Sequence, residues 1–250
     1  MEKTEQKLSY GLLGRDISYS FSKEYFTDFF QKQGLHHCSY ETFDLRNITD
    51  LETILKEYPE LHGLNVTIPY KEAIIPYLHS LDSEAAAIGA VNTIKFTKTG
   101  LVGYNTDGYG FQRSLEPFLS EKAHKNALIL GTGGASKAIK YTLQQLGISS
   151  QYVSRSPEKG QWTYEMLTKE QIANHTFIIN CTPVGTFPRI NDKPAIPYAH
   201  LGKGHLLYDL VYNPEKTAFL QEGEQRGTSI CNGLSMLGFQ AQKAWEIWQK

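Results

Sequence analysis

A glycine-rich turn, set between an apolar strand and an amphipathic helix, restricts the possible folds of this chain more than any other segment. The turn is residues 131–136 (GTGGAS), preceded by the apolar run 127–130 (ALIL) and followed by a helical pattern over 137–146. Gly131 permits a tight turn, and Gly133 lets a ligand approach the backbone closely. The amino end of the helix adds unpaired N–H groups and a partial positive charge. The segment therefore predicts a strand–turn–helix unit that binds a pyrophosphate.

The end of the next strand indicates which dinucleotide this unit binds. An Asp or Glu at that point would hydrogen-bond the ribose 2′-hydroxyl of NAD. Here the strand pattern over 151–153 ends in residues 154–156 (SRS), which contain no acid. A guanidinium with neighbouring hydroxyls suits a 2′-phosphate, so we predict NADP as the cofactor. The candidate contacts in these two segments are Gly131, Gly133, Gly134, Ala135, Ser154 and Arg155.

Strand and helix patterns alternate along the rest of the chain. Strands are predicted over 8–14, 39–45, 61–68, 126–130, 151–153, 177–180 and 205–210, with helices or loops between them. Such alternation is typical of the α/β class with mostly parallel sheets. The final helix, residues 234–249, carries an apolar stripe that should face a core. The stripe consists of Leu234, Leu237, Ala241, Trp245 and Trp248.

Residues 65–71 (NVTIPYK) place an amide, a hydroxyl and a lysine at the end of a predicted strand. Because successive strand side chains alternate faces, Val66 and Ile68 would point into a core while the amide and the hydroxyl point away from it. The proline cannot donate to a sheet ladder and should end the strand, and Lys71 then begins a helix. Polar side chains beside a lysine at a strand end predict a small-molecule site.

Composition and charge narrow the classes of partner. The 250 residues carry a formal net charge of -1, which does not favour nucleic-acid binding. No apolar window approaches the length of a membrane span, and the polar residues 1–7 do not have the pattern of a signal peptide. The three cysteines are scattered, which predicts reduced thiols in a cytoplasmic protein. Cysteine and histidine show no paired spacing, so we predict no metal.

Further segments, taken in chain order, resemble those of the shikimate dehydrogenase family. The similarity to the family's signatures lies in residues 65–72 (its lysine motif), 89–93 (GAVNT), 105–108 (NTDG), 180–185 (NCTPVG), 209–214 (DLVYNP) and 233–241. The resemblance covers nearly the whole chain. It implies NADP-linked, reversible reduction of 3-dehydroshikimate to shikimate, a step towards chorismate and the aromatic amino acids.

The same resemblance implies roles for individual side chains. Lys71 and Asp107 would be the catalytic pair, and Ser20 and Ser22 would bind the substrate carboxylate. The substrate hydroxyls would be held by Asn65, Thr67, Asn92 and Gln240, with Tyr212 nearby. The remaining cofactor contacts would be Thr182, Val211, Gly233 through its carbonyl, and Met236 packed against the nicotinamide.

The residue types of the implied catalytic pair fit a ketone reduction. A protonated Lys71 can stabilise a developing alkoxide and deliver the proton, and a carboxylate at Asp107 can orient the ammonium and favour its charged form. The sequence leaves open which of the two makes the proton transfer.

The resemblance also implies two domains. Residues 1–105 with 234–250 would form an α/β substrate domain with a mostly parallel sheet, and 106–233 a Rossmann domain that binds NADP, the last helix returning to the first domain. An NAD-using quinate/shikimate dehydrogenase and a non-catalytic, nucleotide-binding regulatory protein remain alternatives. The expected partner is a small-molecule substrate, with neither nucleic acid nor membrane, and the chain is expected to be a monomer or a homodimer.

Overall fold

The structure is a computed structural model that describes residues 7–18, 20–118 and 124–250. Residues 1–6, on which the expectation about a signal peptide depends, lie outside the described residues. The chain divides into two compact units. One comprises the described residues up to Thr106 together with Ala241–Lys250, and the other comprises those of Asp107–Gln240.

The first unit is built on one six-stranded sheet in the order β2-β1-β3-β5-β6-β4. The strands are β1 Leu8–Gly14, β2 Cys38–Asp44, β3 Leu61–Val66, β4 Ser80–Leu81, β5 Thr93–Thr97 and β6 Gly100–Tyr104. β1 is parallel to β2 and β3, as the alternating pattern predicts. β4, a two-residue strand that the sequence pattern did not predict, is parallel to β6. β5 is antiparallel to β3 and β6. The turn between β5 and β6 is too short for a crossover, so these two strands form a hairpin.

Helices cover the sheet of this unit and bury its apolar side chains. They are α1 Ser22–Lys32, α2 Leu51–Glu57, α3 Tyr70–Ala73 and α4 Ser83–Ile88. α1 buries Phe26 and Phe30 in a cluster with Tyr10, Tyr40 and Trp248. The ring of Tyr40 stacks on that of Phe26 with centroids 4.5 Å apart. This cluster packs side chains of β1 and β2 against α1, and β1 lies next to β3 in the sheet.

The prediction that Ile68 points into a core is wrong. The strand ends at Val66, which is 2% exposed, whereas Ile68 is 50% exposed. The alternation of faces applies only inside a strand, and residues 67–69 already form the turn into α3. The strand therefore ends two residues earlier than its sequence pattern predicts.

The second unit contains a five-stranded sheet in the order β11-β10-β9-β7-β8, with every neighbouring pair parallel. Its strands are β7 Asn126–Leu130, β8 Ser149–Val153, β9 Phe177–Asn180, β10 Leu206–Asp209 and β11 Ser229–Cys231. Its helices are α5 Asp107–Leu115, α6 Gly134–Gln145, α7 Lys169–Asn174 and α8 Ala218–Glu224. The parallel strand–helix alternation predicted from the sequence is therefore confirmed, and it is the doubly wound arrangement.

Helices lie on both faces of this sheet. Ile129 of β7 contacts a core that includes side chains of α5 and α6, whereas the neighbouring Leu128 contacts a core that includes side chains of α7 and α8. Strands buried on both faces have continuous apolar runs instead of alternating ones. This burial explains why residues 127–130 (ALIL) contain no polar position.

The last helix, α9 Leu234–Gln249, contributes to both units, because residues up to Gln240 group with the second and Ala241–Lys250 with the first. Trp248 donates its indole N–H to the carbonyl of Ile94 at 3.0 Å. Leu234 is 53% exposed, so its predicted place in the apolar stripe is wrong, and Met236 is buried instead. None of the helices in the described ranges is both long and apolar enough to cross a membrane.

Candidate active site

The two serines predicted to bind a carboxylate lie side by side at the start of α1. Ser20 Oγ donates to Ser22 Oγ at 3.3 Å, and the backbone N–H of Ser22 donates to Ser20 Oγ at the same distance. The loop is closed by the N–H of Ser20, which donates to the carbonyl of Ile17 at 3.0 Å. Both serine side chains are half-buried. This arrangement offers two adjacent hydroxyls to one anionic group.

Asn65 is held by partners on both ends of its amide. Its Oδ1 accepts from the hydroxyl of Tyr40 at 2.8 Å, and its Nδ2 donates to Asn92 O at 3.3 Å and Thr93 Oγ1 at 3.2 Å. These contacts use both N–H groups and one lone pair of Oδ1. The second lone pair of Oδ1 is the part of this amide that could still accept from a substrate hydroxyl.

Asn92 connects this network to the end of β6. Its Oδ1 accepts from the backbone N–H of Thr106 at 2.7 Å, and its Nδ2 donates to Thr106 Oγ1 at 2.9 Å. Thr93 Oγ1 also donates to Asn92 Oδ1 at 3.0 Å. All three side chains are buried. The backbone at Thr106, immediately before Asp107, is therefore fixed by hydrogen bonds to a side chain.

Lys71 and Thr67 flank the turn that follows β3. The carbonyl of Lys71 accepts from the N–H of Val91 at 2.7 Å, and the N–H of Thr67 donates to Leu13 O at 2.8 Å. The hydroxyl of Tyr70 donates to Leu45 O at 2.7 Å and anchors the first residue of α3. Both Lys71 and Thr67 are half-buried. These hydrogen bonds thus fix the backbone on both sides of the turn that carries the lysine.

Asp107 is the first residue of α5 and belongs to the second unit. It is 5% exposed, and a carboxylate in the first turn of a helix interacts favourably with the helix dipole. Desolvation raises the pKa of the Cys181 thiol well above its usual range, and the carboxyl groups of Asp209 and Asp107 add to the rise. Asp107 thus lies close to the loop that follows β9.

The glycine turn has the geometry that pyrophosphate binding needs. Gly131 has φ +100°, and a Cβ on it would lie 2.8 Å from Thr182 Cγ2. Gly133 caps α6 with extended backbone, and a Cβ on it would meet no protein atom within 4 Å. The hydroxyl of Ser136 donates to the carbonyl of Gly133 at 2.7 Å. Gly134 and Ala135 then begin α6. The first N–H groups of a helix have no partner within the helix, so they can donate to a bound ligand.

Arg155 is exposed just after β8 and forms no ion pair with any residue of the described ranges. Ser154, beside it, accepts from the N–H of Ser156 at 3.2 Å through its Oγ. Desolvation raises the pKa of Tyr164, and the Arg155 guanidinium opposes that rise. A guanidinium near this strand end, with no acid between residues 154 and 156, fits a 2′-phosphate.

A buried carboxyl group organises the loops that follow β9 and β10. Asp209 is fully buried and accepts from Asn180 Nδ2 at 2.9 Å and from the N–H of Val211 at 3.0 Å, both through Oδ1. Its Oδ2 accepts from Thr217 Oγ1 at 2.6 Å. Burial raises the pKa of Asp209 to about 7, although these hydrogen bonds oppose the rise.

This titration should make the stability of the protein depend on pH. The pKa of Asp209 rises from 3.8 to about 7, so the folded protein holds the proton more tightly than the unfolded chain does. The stabilisation is complete below pH 3.8 and is lost as pH rises through about 7. Between about pH 5 and about pH 8 we expect it to decline by about 2 to 3 kcal/mol.

Urea unfolding of the wild type and of Asp209→Asn across this pH range measures the effect. The stability of the wild type relative to that variant should fall as the pH rises, because the amide does not titrate. A difference between the two proteins that stays constant with pH would rule out the titration of Asp209.

The remaining candidates for cofactor contact lie after β10 and at the start of α9. The N–H of Gly233 donates to Val211 O at 3.3 Å, and the carbonyl of Gly233 accepts from Leu237 N at 2.9 Å. Met236 is 7% exposed and packs in the same core as α5. A carbonyl oxygen has two lone pairs, so Gly233 O retains one for a ligand.

The two remaining candidates for substrate contact also belong to the second unit. Tyr212 is half-buried in the loop after Val211. Gln240 donates from Nε2 to Leu237 O at 3.1 Å within α9.

Several supporting residues were not among the sequence predictions. They are Tyr40, Thr93, Thr106, Asn180, Asp209 and Thr217. Asn180 and Asp209 stand in segments that resemble family motifs, and each ends a predicted strand. That position at a carboxyl end of a parallel sheet was the available signal, because ligand sites form there.

The fold and the glycine turn define a dinucleotide-binding α/β protein with a second α/β unit. A family model described as the shikimate dehydrogenase substrate binding domain matches residues 12–94. The shikimate dehydrogenase (NADP(+)) of Clostridium botulinum strain Hall is 35% identical over 248 residues, which cover 95% of this chain and 95% of the relative. On this similarity, the chain belongs to the shikimate dehydrogenase family.

Solved structures agree with that assignment. Shikimate dehydrogenase 1 from Peptoclostridium difficile is 36% identical with a TM-score of 0.86, covering 97% of this chain and 91% of that one. The Thermus thermophilus enzyme in complex with NADP(H) and shikimate is 30% identical with a TM-score of 0.84, covering 96% and 93%. The resemblance drawn from the sequence motifs is therefore confirmed.

Proposed function

We propose that this chain catalyses the reversible, NADPH-dependent reduction of 3-dehydroshikimate to shikimate. The observation that carries the proposal is that an NADP(+)-linked shikimate dehydrogenase matches 95% of the chain and not one unit alone. The glycine turn and the exposed Arg155 support NADP as the cofactor. Lys71 and Asp107, present at the positions the resemblance implies, support catalysis over a regulatory role.

Lys71 and Asp107 carry the proton chemistry in this proposal. NADPH, when bound, supplies the hydride for the ketone. Lys71, protonated at Nζ, donates a hydrogen bond to the carbonyl oxygen, stabilises the alkoxide that develops and delivers the proton. Asp107 orients the ammonium of Lys71. In the oxidation direction a neutral Lys71 accepts the hydroxyl proton.

The substrate is held by neutral polar groups in this proposal. Ser20 and Ser22 donate to its carboxylate, and its hydroxyls are bound by Asn65, Thr67, Asn92, Tyr212 and Gln240. A site whose buried polar groups require partners rejects analogues that lack a hydroxyl. This requirement favours shikimate over less hydroxylated acids.

The first unit is assigned to substrate binding and the second to the nucleotide. A cytoplasmic location and a monomeric or homodimeric state complete the proposal, and light scattering on the purified protein tests the latter.

A spectrophotometric assay of shikimate oxidation tests the proposal. NADP+ and NAD+ are compared at equal concentrations, with quinate as the alternative substrate. We expect rapid reduction of NADP+ with shikimate and slower reaction with NAD+ or quinate. Absence of shikimate-dependent NADP+ reduction would overturn the proposal, and a preference for NAD+ and quinate would support the alternative dehydrogenase.

Gly133→Ala should weaken nucleotide binding without harming the fold. The position has φ -76°, and its Cβ would meet no protein atom within 4 Å, so alanine fits the protein itself. If the pyrophosphate lies against Gly133, the added methyl should lower the affinity for NADP+ by about tenfold or more. Calorimetric titration with NADP+ measures this loss.

Gly202→Ala is the matched control, because a Cβ there also meets no protein atom within 4 Å. Its affinity for NADP+ and its melting temperature should match those of the wild type. Unchanged NADP+ affinity in Gly133→Ala would show that the pyrophosphate binds elsewhere.

A further inference from the structure

Asp209 and Asn180 are paired across neighbouring strands at the end of the sheet in the second unit. Their Cα atoms are register partners between β10 and β9, and Asn180 Nδ2 donates to Asp209 Oδ1. Both side chains are fully buried. The carboxyl group has no cationic partner within the described residues, so its contacts are with neutral donors.

The carboxyl group decides which way the Asn180 amide points. Asp209 Oδ1 accepts from both Asn180 Nδ2 and the N–H of Val211, so the amide turns its Nδ2 towards the carboxyl and its Oδ1 away. Asn180 Oδ1 then accepts from the N–H of Thr182 at 3.0 Å and from Thr182 Oγ1 at 2.6 Å. A reversed amide would place N–H groups against these two donors.

Thr182 connects these hydrogen bonds to the loop after β9 and to the glycine turn. Its Oγ1 accepts from the N–H of Val184 at 3.3 Å, which shapes the loop after β9. Its Cγ2 occupies the space that a side chain at Gly131 would need. Asp209 therefore sets the orientation of the Asn180 amide, and that amide in turn holds Thr182 beside the glycine turn.

The same carboxyl oxygen fixes a second loop. The N–H of Val211 donates to Asp209 Oδ1, and Val211 in turn accepts from Gly233 N. Oδ2 makes a separate contact, to Thr217, which caps α8 by accepting from Leu220 N at 3.4 Å. Oδ1 thus accepts from donors of the two cofactor loops, and Oδ2 accepts from the residue that caps α8.

We propose that Asp209 Oδ1, acting through Asn180, is the positioning group that holds the loops of Thr182 and Val211 in the shape that binds NADP(H). This inference rests on the proposed function, because it takes those loops as nucleotide contacts. Asp209 and Asn180 themselves are buried under the loops and act through Thr182 and Val211.

Asn180→Leu tests the chain of hydrogen bonds directly. It removes the acceptor of Thr182 and leaves Asp209 its bonds to Val211 and Thr217. We expect the dissociation constant for NADP+, measured by calorimetric titration without substrate, to rise by about tenfold or more. The KM for shikimate should stay within about threefold, because Asp209 keeps its bond to Val211 and the loop that carries Tyr212 keeps this anchor.

Thr217→Val is the matched control for lost stability. It removes a hydrogen bond to the same buried carboxyl, but on Oδ2, and it keeps the Cβ and a γ-methyl of the side chain that lies beside Gly185. We expect a fall in the free energy of unfolding with an unchanged dissociation constant for NADP+. If Thr217→Val and Asn180→Leu weaken NADP+ binding equally, the effect is general destabilisation and the positioning role is refuted.

Asp209→Asn should retain nucleotide binding. Its amide oxygen can take the place of Oδ1 and accept from Asn180 and Val211, while its N–H group donates to the Thr217 hydroxyl. NADP+ affinity should therefore stay within about threefold of the wild type. Should Asn180→Leu fail to fold, Asn180→Ser replaces it, since the shorter hydroxyl cannot span both partners.

The outcomes separate this inference from the proposed function. If the wild type binds NADP+ but does not oxidise shikimate, the function fails while the binding comparison among variants still decides the role of Asp209. If the wild type oxidises shikimate and the Asn180 variants bind NADP+ as tightly as it does, the positioning role fails alone.

Discussion

Lys71→Ala should lower kcat for shikimate oxidation by about a thousandfold while leaving shikimate binding nearly unchanged. The ammonium acts on charge that develops during the reaction, so its loss should affect the transition state far more than the bound substrate. The backbone of α3 is held by Tyr70 and Val91, so the truncation should not disturb the turn. Steady-state kinetics, with calorimetric titration of shikimate, measure both quantities.

Lys98→Ala is the control for removal of one positive charge. Lys98 is exposed in the turn between β5 and β6, on the same unit as Lys71. Its kcat and KM should equal those of the wild type. Near-normal turnover in Lys71→Ala would remove the assigned role, and an equal loss in both variants would point to net charge as the cause.

Arg155→Glu should change the cofactor preference. A guanidinium that binds a 2′-phosphate makes charge-assisted hydrogen bonds, each contributing about 1.5 to 3 kcal/mol, so the KM for NADP+ should rise about a hundredfold. The KM for NAD+ should stay equal or fall, because a carboxylate at this strand end can accept from the ribose 2′-hydroxyl. Kinetics with each nucleotide at saturating shikimate give the ratio.

Arg46→Glu makes the same change in charge at an exposed site of the first unit. Its KM for NADP+ should remain that of the wild type. If Arg155→Glu weakens NADP+ and NAD+ to the same extent, the residue supports the nucleotide site in general and does not read the 2′-phosphate.

The parts of the fold that depend on local sequence could be predicted. The glycine turn, the apolar run of β7 and the start of α6 lie within about twenty residues of each other, and the chemistry of each is visible without the rest of the chain. The parallel sheet of the second unit follows from their alternation with helices. Local periodicity wrongly predicted that Ile68 and Leu234 are buried. The pattern of apolar residues does not show at which residue a strand ends, or which part of a helix packs against the rest of the protein.

The supporting network could not be predicted, because its partners are far apart in sequence. Asn180 and Asp209 are separated by 29 residues and meet only because β9 and β10 are register partners. Tyr40 and Asn65 meet across β1, 25 residues apart. Strand order and register, which place these side chains together, depend on packing of the whole unit.

A crystal structure of the protein with shikimate and NADP+ bound measures the central claim most directly. We expect Lys71 Nζ to lie at hydrogen-bonding distance, about 3 Å, from the shikimate hydroxyl to be oxidised. We expect a carboxylate oxygen of Asp107 to lie about 3 Å from that hydroxyl or from Lys71 Nζ. A complex in which either group lies more than about 6 Å from that hydroxyl would contradict the account.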